Sequence, residues 1–227
     1  MSLILCIETS TTNCSISIGR DGQLLALKEI NSKNFSHSEQ LHTFIKELLN
    51  SEDISIKELS AVSISKGPGS YTGLRIGVSA AKGLAYALNI PLISVSTLLC
   101  LAKQVKITKG LIIPMLDARR MEVYSEIFDA SFESKREIKA EILEETSFQI
   151  ELEASEVHFI GTGVEKFQAI CHHPNAVFHK EKLPSAKEQY LIAKRKFDDN
   201  IFEDVAYFEP YYLKDFVSNN INDYSEL

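Results

Sequence analysis

The chain has 227 residues, 44% of them apolar and 24% charged, with a formal net charge of −7. That balance lets it bury a substantial core, which excludes a disordered tail protein and a disulfide scaffold. The acidic surface argues against a chain that grips nucleic acid by itself, because affinity for phosphate comes from Lys and Arg.

At roughly 150 residues per domain the length corresponds to about 1.5 domains. Cys6, Cys14, Cys100 and Cys171 form no CxxC pair and read as buried free thiols of a cytoplasmic protein. Met1 to Glu8 lacks the basic region of a signal peptide, and no apolar run reaches the ~18 residues that cross a bilayer.

Leu3 to Ile7 is a continuous apolar run, which predicts a buried strand. Cys14 to Gly19 alternates, Asp21-Gly22 signals a hairpin, and Leu24 to Ile30 supplies a third strand. Ser36-His37-Ser38-Glu39 reads as a capping box with Ser36 at the N-cap. Leu41, Phe44, Ile45, Leu48 and Leu49 then form one apolar stripe of a helix ending near Asn50. A buried strand, Ala61 to Ser65, leads through Lys66-Gly67-Pro68-Gly69-Ser70-Tyr71 into a long helix, Thr72 to Asn89. Leu92 to Val95 is the next strand and Thr97 to Gln104 the next helix. Strands alternating with helices predict a partly parallel sheet with helices on its faces.

The pattern then restarts. Leu111 to Asp117 is an apolar strand ending in a carboxylate, as Leu3 to Glu8 is, and the two acids lie 109 positions apart. Glu122 to Phe128, Ile138 to Leu143 and Val157 to Ile160 predict further strands. Ser185-Ala186-Lys187-Glu188 opens a helix to about Lys196. We therefore expect a duplicated α/β lobe: residues 1–107, residues 108–217, and a polar tail over 218–227.

The Gly-rich loop follows a buried strand and opens a helix, where backbone N–H groups can hold phosphate. It matches neither GxGxxG nor GxxxxGK[ST], so an anion site and a tight turn using glycine's positive φ both remain open. The helix after it carries Gly73, Gly77, Ala80, Ala81 and Gly83. Interior glycine costs about 1 kcal/mol relative to alanine, so several in one helix imply close approach of another backbone. That backbone belongs either to this protein's own sheet or to another chain. Arg75, Ser79 and Lys82 form a polar side. Glu8 reads either as a metal-binding or basic carboxylate, with Asp117 its pseudo-symmetric counterpart, or as an acid capping the next turn. His37 and His42, five apart, lie ~140° apart on a helix and cannot share a metal. There is no HExxH and no Gly-x-Ser-x-Gly.

Lys66-Gly67-Pro68-Gly69-Ser70-Tyr71-Thr72-Gly73-Leu74-Arg75-Ile76-Gly77 resembles the corresponding stretch of the TsaB (YeaZ) family. Leu5-Cys6-Ile7-Glu8-Thr9-Ser10 agrees as well, with Glu8 where the family usually has Asp. So do Leu116-Asp117-Ala118-Arg119-Arg120-Met121-Glu122-Val123-Tyr124 and Glu209-Pro210-Tyr211-Tyr212-Leu213. The resemblance implies a two-lobed actin-like (ASKHA, ribonuclease H-like) fold with mixed sheets and an abbreviated second lobe. It implies a cytoplasmic, non-catalytic subunit for threonylcarbamoyladenosine formation at position 37 of tRNAs reading codons that begin with adenine. Such a subunit pairs with the catalytic TsaD, is joined by the ATPase TsaE, dimerises when alone, and meets tRNA only indirectly through the complex.

By the same resemblance Thr97 and Leu101 occupy the positions of TsaD's metal-binding histidines, so no metal and no catalytic residue is expected. No cofactor is expected in the isolated chain, while ATP or ADP has a place at the complex interface. The expected partner surface is Gly69, Tyr71, Thr72, Gly73, Arg75, Ile76, Gly77, Ser79, Ala80 and Gly83. Glu8, Ser10, Thr11 and Asp117 are candidates for nucleotide or phosphate contacts. The competing expectation is an actin-like-fold ATPase or small-molecule kinase using Glu8 or Asp117 with Mg²⁺.

Overall fold

The computed structural model describes residues 2–32 and 37–214. The proposed N-cap Ser36 and the polar tail 218–227 lie outside these residues.

Three antiparallel strands open the chain: β1 (Leu3–Glu8), β2 (Asn13–Arg20) and β3 (Gln23–Asn31). The Asp21-Gly22 turn between the last two has both residues at positive φ, as a tight hairpin requires. Then come α1 (His37–Ser51), β4 (Ala61–Gly67), α2 (Tyr71–Leu88), β5 (Leu92–Ser96) and α3 (Thr97–Ala102). β4 runs parallel to both β1 and β5, giving the sheet order β3-β2-β1-β4-β5.

The second sheet repeats this order as β8-β7-β6-β9-β10. Its strands are β6 (Leu111–Asp117), β7 (Glu122–Asp129), β8 (Ser134–Ile142), β9 (Val157–Ile160) and β10 (Ala176–His179). Two short helices, α4 (Gln149–Ala154) and α5 (Val164–Gln168), lie among them. The sequence pattern did not mark these two helices or β10. All three are at most six residues long, too short for periodicity to show. The architecture is the expected two-lobed α/β fold with mixed sheets.

Alternation explains how β1 can be apolar throughout. Leu3, Leu5 and Ile7 face α1 and α2, while Ile4 and Cys6 face the opposite side. That opposite side is covered by α6 (Ala186–Asp198), capped by Ser185, whose hydroxyl accepts from Lys187 N at 3.1 Å. Ala186, Tyr190 and Ala193 pack there, and the Tyr190 ring fills the space above Gly19 that a Cβ would occupy. The chain thus returns to the first sheet after building the second. Residues 201–214 continue along the first lobe: Glu203 N donates to Leu92 O at 2.8 Å, and Tyr211 N to Lys66 O at 2.7 Å. Conversely α3 lies against β6, where Leu98, Leu101 and Ala102 join Ile112, Leu116 and Ile160. Each sheet is therefore covered in part by a helix from the other half of the sequence.

Candidate functional site

The loop after β1 and the start of α2 are pressed together. Ser70 caps α2, its hydroxyl accepting from Gly73 N at 3.2 Å, and Ser70 N donates to Ser10 O at 2.7 Å. The Thr9 hydroxyl donates to Gly73 O at 2.8 Å. A Cβ at Gly69 would strike the Ser10 carbonyl, one at Gly73 the Thr9 carbonyl, and one at Gly77 the Thr9 hydroxyl and Ile64. These three glycines therefore serve the protein's own packing. Gly73 and Gly77 are buried, which removes them from the expected partner surface; spacing placed them on one face but could not say whose backbone lay against it.

The other side of α2 is open. Thr72, Arg75, Ser79 and Gly83 are exposed, with Tyr71, Ile76 and Ala80 half-buried beside them. Nothing lies within 4 Å of a Cβ built on Gly83, so no internal contact accounts for that glycine. Tyr86 extends the row and is 82% exposed. Its spacing from Thr72, Ile76, Ser79 and Gly83 was the signal by which the sequence could have revealed it. Between this face and α1 runs a groove of about 580 Å³ walled by Ser38, His42, Arg75, Ser79, Gly83 and Leu84. At the head of the face the Arg75 guanidinium stacks over the Tyr71 ring at 4.1 Å and donates to the Tyr212 hydroxyl at 3.3 Å.

The two strand-end carboxylates have opposite surroundings. Glu8 has no solvent-accessible surface. Ser10 N donates to its Oε1 at 2.7 Å, and the Ser65 hydroxyl donates to its Oε2. Burial pushes its carboxyl up, against the hydrogen bonds from Ser10 and Ser65 that hold it down. Ser10 is 1% exposed, and its hydroxyl oxygen has no partner among the described residues. The burial of Glu8 and Ser10 weighs against the expectation that they contact a nucleotide or phosphate. Thr11 is half-buried, its carbonyl 2.7 Å from His37 Nε2.

Asp117 is exposed. It accepts from Arg119 N at 2.6 Å and pairs with Lys166 Nζ at 3.0 Å. Thr97 and Leu101, where the resemblance leads us to expect counterparts of metal-binding histidines, are both fully buried. Among the described residues no three His, Cys, Asp or Glu side chains are placed to hold a metal ion. All four cysteines are free and buried, and burial pushes the Cys6 thiol up to about 12, which makes it a poor nucleophile at neutral pH. Among the described residues no helix is long and apolar enough to cross a membrane.

Residues 29–219 match the family model described as TsaD: tRNA N6-adenosine threonylcarbamoyltransferase. The tRNA threonylcarbamoyladenosine biosynthesis protein TsaB of Escherichia coli is 29% identical over 95% of this chain and 96% of its own length. The TsaB protein of Bacillus subtilis is 41% identical over 55% of this chain and 54% of its own length. Among solved structures, YeaZ from Pseudomonas aeruginosa superposes with a TM-score of 0.81 at 25% identity, covering 94% of this chain and 100% of that one.

Proposed function

Because the chain belongs to the tRNA N6-adenosine threonylcarbamoyltransferase family, on its TsaB (YeaZ) branch, we propose that it is a non-catalytic subunit in tRNA threonylcarbamoyladenosine formation. It pairs with the catalytic TsaD chain in the cytoplasm, forms a homodimer when alone, and is joined by the ATPase TsaE in the working complex. The carrying observation is the open face of α2 beside the α1 groove, where Gly83 has no internal neighbour and Tyr86 stands 82% exposed. A small-residue face lets a partner helix come close, and a projecting tyrosine next to it supplies an anchor of the kind that dominates interfaces.

The non-catalytic reading is supported by the residues where chemistry would sit. Glu8 is sealed, and Thr97 and Leu101 offer no metal ligand. The sealing of Glu8 and the engagement of Asp117 by Lys166 both weigh against an ATPase or kinase that holds Mg²⁺ on either carboxylate.

The deciding experiment is co-purification with the TsaD of the same organism, followed by threonylcarbamoyl transfer measured with and without this chain. The expected result is a stable complex and a large stimulation of transfer; failure to stimulate would overturn the reading. Gly83→Trp and Tyr86→Ala test the surface. Neither disturbs an internal contact, so the melting temperature should hold while affinity for TsaD falls at least about tenfold, roughly 1.4 kcal/mol. Unchanged affinity in both variants would move the interface elsewhere.

A further inference from the structure

The hairpin between β6 and β7 turns through Arg119 and Arg120, at φ 73° and φ 48°. Two adjacent non-glycine residues in the left-handed region are costly, and tight hairpins normally place Asn and Gly there. The turn is held by Lys166, whose side chain is only 15% exposed. Its ammonium donates to Asp117 Oδ1 at 3.0 Å, to Arg120 O at 2.9 Å and to Glu122 O. Arg119 N donates to Asp117 at 2.6 Å, and Glu122 N to Arg119 O at 3.1 Å.

The two side chains stand out against the rest of the molecule. The chain has six arginines. Arg20 pairs with Glu58 at 3.9 Å, Arg136 with Glu141 at 2.5 Å, and Arg195 with Asp199 at 4.0 Å. Arg75 bonds Tyr212 and stacks on Tyr71. Arg119 and Arg120 are exposed and have no ion pair or hydrogen-bonded side-chain partner among the described residues. In a protein with 31 acidic residues, two neighbouring guanidiniums have been left unpaired on a locked tip.

We propose that this tip is a phosphate-recognition element that contacts the RNA backbone directly. A guanidinium presents a planar fork of donors suited to phosphate oxygens. Fixing the turn in advance lowers the ordering cost of the contact. Such contacts position a nucleic acid without reading its sequence, here an RNA whose affinity comes from another subunit. The inference rests on the tRNA role proposed above and adds to it one direct contact by an otherwise acidic chain.

The test uses the complex of this chain with TsaD and an unmodified tRNA transcript. The first measurement is assembly: Arg119→Gln/Arg120→Gln should pair with TsaD as wild type does. The second is tRNA affinity across a salt series. The double variant should bind about 3–10-fold more weakly, and its log–log salt slope should fall by about 1–2, as expected for losing two phosphate contacts. Millimolar ATP should leave the difference intact; its loss would assign the site to a free nucleotide and overturn the proposal. Assembled complexes with equal affinity and slope would overturn it too, as would a defect confined to TsaD pairing.

If no complex forms, the family-based role fails first, and the same salt series is run on the chain alone at low ionic strength. A loss of binding in the double variant then supports the contact, and no RNA binding by wild type overturns it. Arg119→Gly/Arg120→Gly provides the structural control. It should raise the melting temperature by relieving the backbone while losing the RNA contact, which a merely structural role would not do.

Discussion

Glu8 and Asp117 end equivalent central strands of two sheets with the same strand order, yet one is sealed and the other is open. Around Glu8 the chain closes with small residues: Gly69, Gly73 and Gly77 bring α2 against Thr9 and Ser10, and hydroxyl groups bond what remains. Around Asp117 the loop after β9 also comes close, with Gly161 and Gly163 against Met115, but it leaves the carboxylate exposed, and a lysine amine bridges the turn instead. A repeated topology therefore does not repeat an environment. What fills the space beyond the strand end decides whether a carboxylate is a buried hydrogen-bond acceptor or an exposed ionic anchor.

The largest effect should come from forcing the sealed side open. Gly73→Ala places a methyl group into the Thr9 carbonyl, and Gly77→Leu drives a side chain into Thr9 and Ile64. Each should cost about 3 kcal/mol or more, read as a lowered urea midpoint, and the Leu variant should fail to fold at 37 °C. Gly163→Ala, in the second lobe, meets the Val123 side chain rather than backbone and should cost about 1 kcal/mol.

Lys166→Met tests the open side. It removes three hydrogen bonds from the turn and should cost about 1–3 kcal/mol.

Glu8→Gln tests the sealed carboxylate by pH. The folded-state pKa of Glu8 is raised, so its contribution to stability is fully present below the unfolded carboxyl value and is lost as pH rises through the folded one. Relative to wild type, the variant should gain melting temperature between mildly acidic and alkaline pH.

The smallest change is Thr97→Val, which removes a buried hydroxyl that has no partner among the described residues. It should stabilise by about 1 kcal/mol in the same urea titration.

Much of the fold was legible before any coordinates. The apolar run at Leu3 to Ile7, the Asp21-Gly22 turn, the α1 stripe and the second strand–acid–turn–strand unit were local patterns, and each formed as its pattern indicates. The destination of α6 was not legible. Its buried residues are Ala186, Gln189, Tyr190 and Ala193, too small and too polar a set to name a sheet, and their partners lie near the other end of the chain. The candidate site divides the same way. Spacing marked α2 as a helix that another backbone approaches closely, but which of its glycines faced inward depended on Thr9, more than 60 residues earlier. The burial of Glu8 was concealed because an acid at a strand end reads alike whether solvent or a serine stands beyond it. A turn at Arg119 and Arg120 was expected, but its left-handed backbone was not legible, since Lys166 holds that conformation from a distant helix.

The crossing of α6 back to the first sheet sets an order of events during synthesis. Ile4, Cys6, Ala61, Ile93 and Val95 have emerged long before Tyr190 and Ala193, which cover them. At the usual 5–20 residues per second, the interval is on the order of ten seconds. For that time the nascent chain carries a bare apolar sheet face, open to chaperones and to neighbouring copies of itself. A ribosome stalled anywhere between residue 107 and residue 186 would hold a first lobe with all its strands and no back wall.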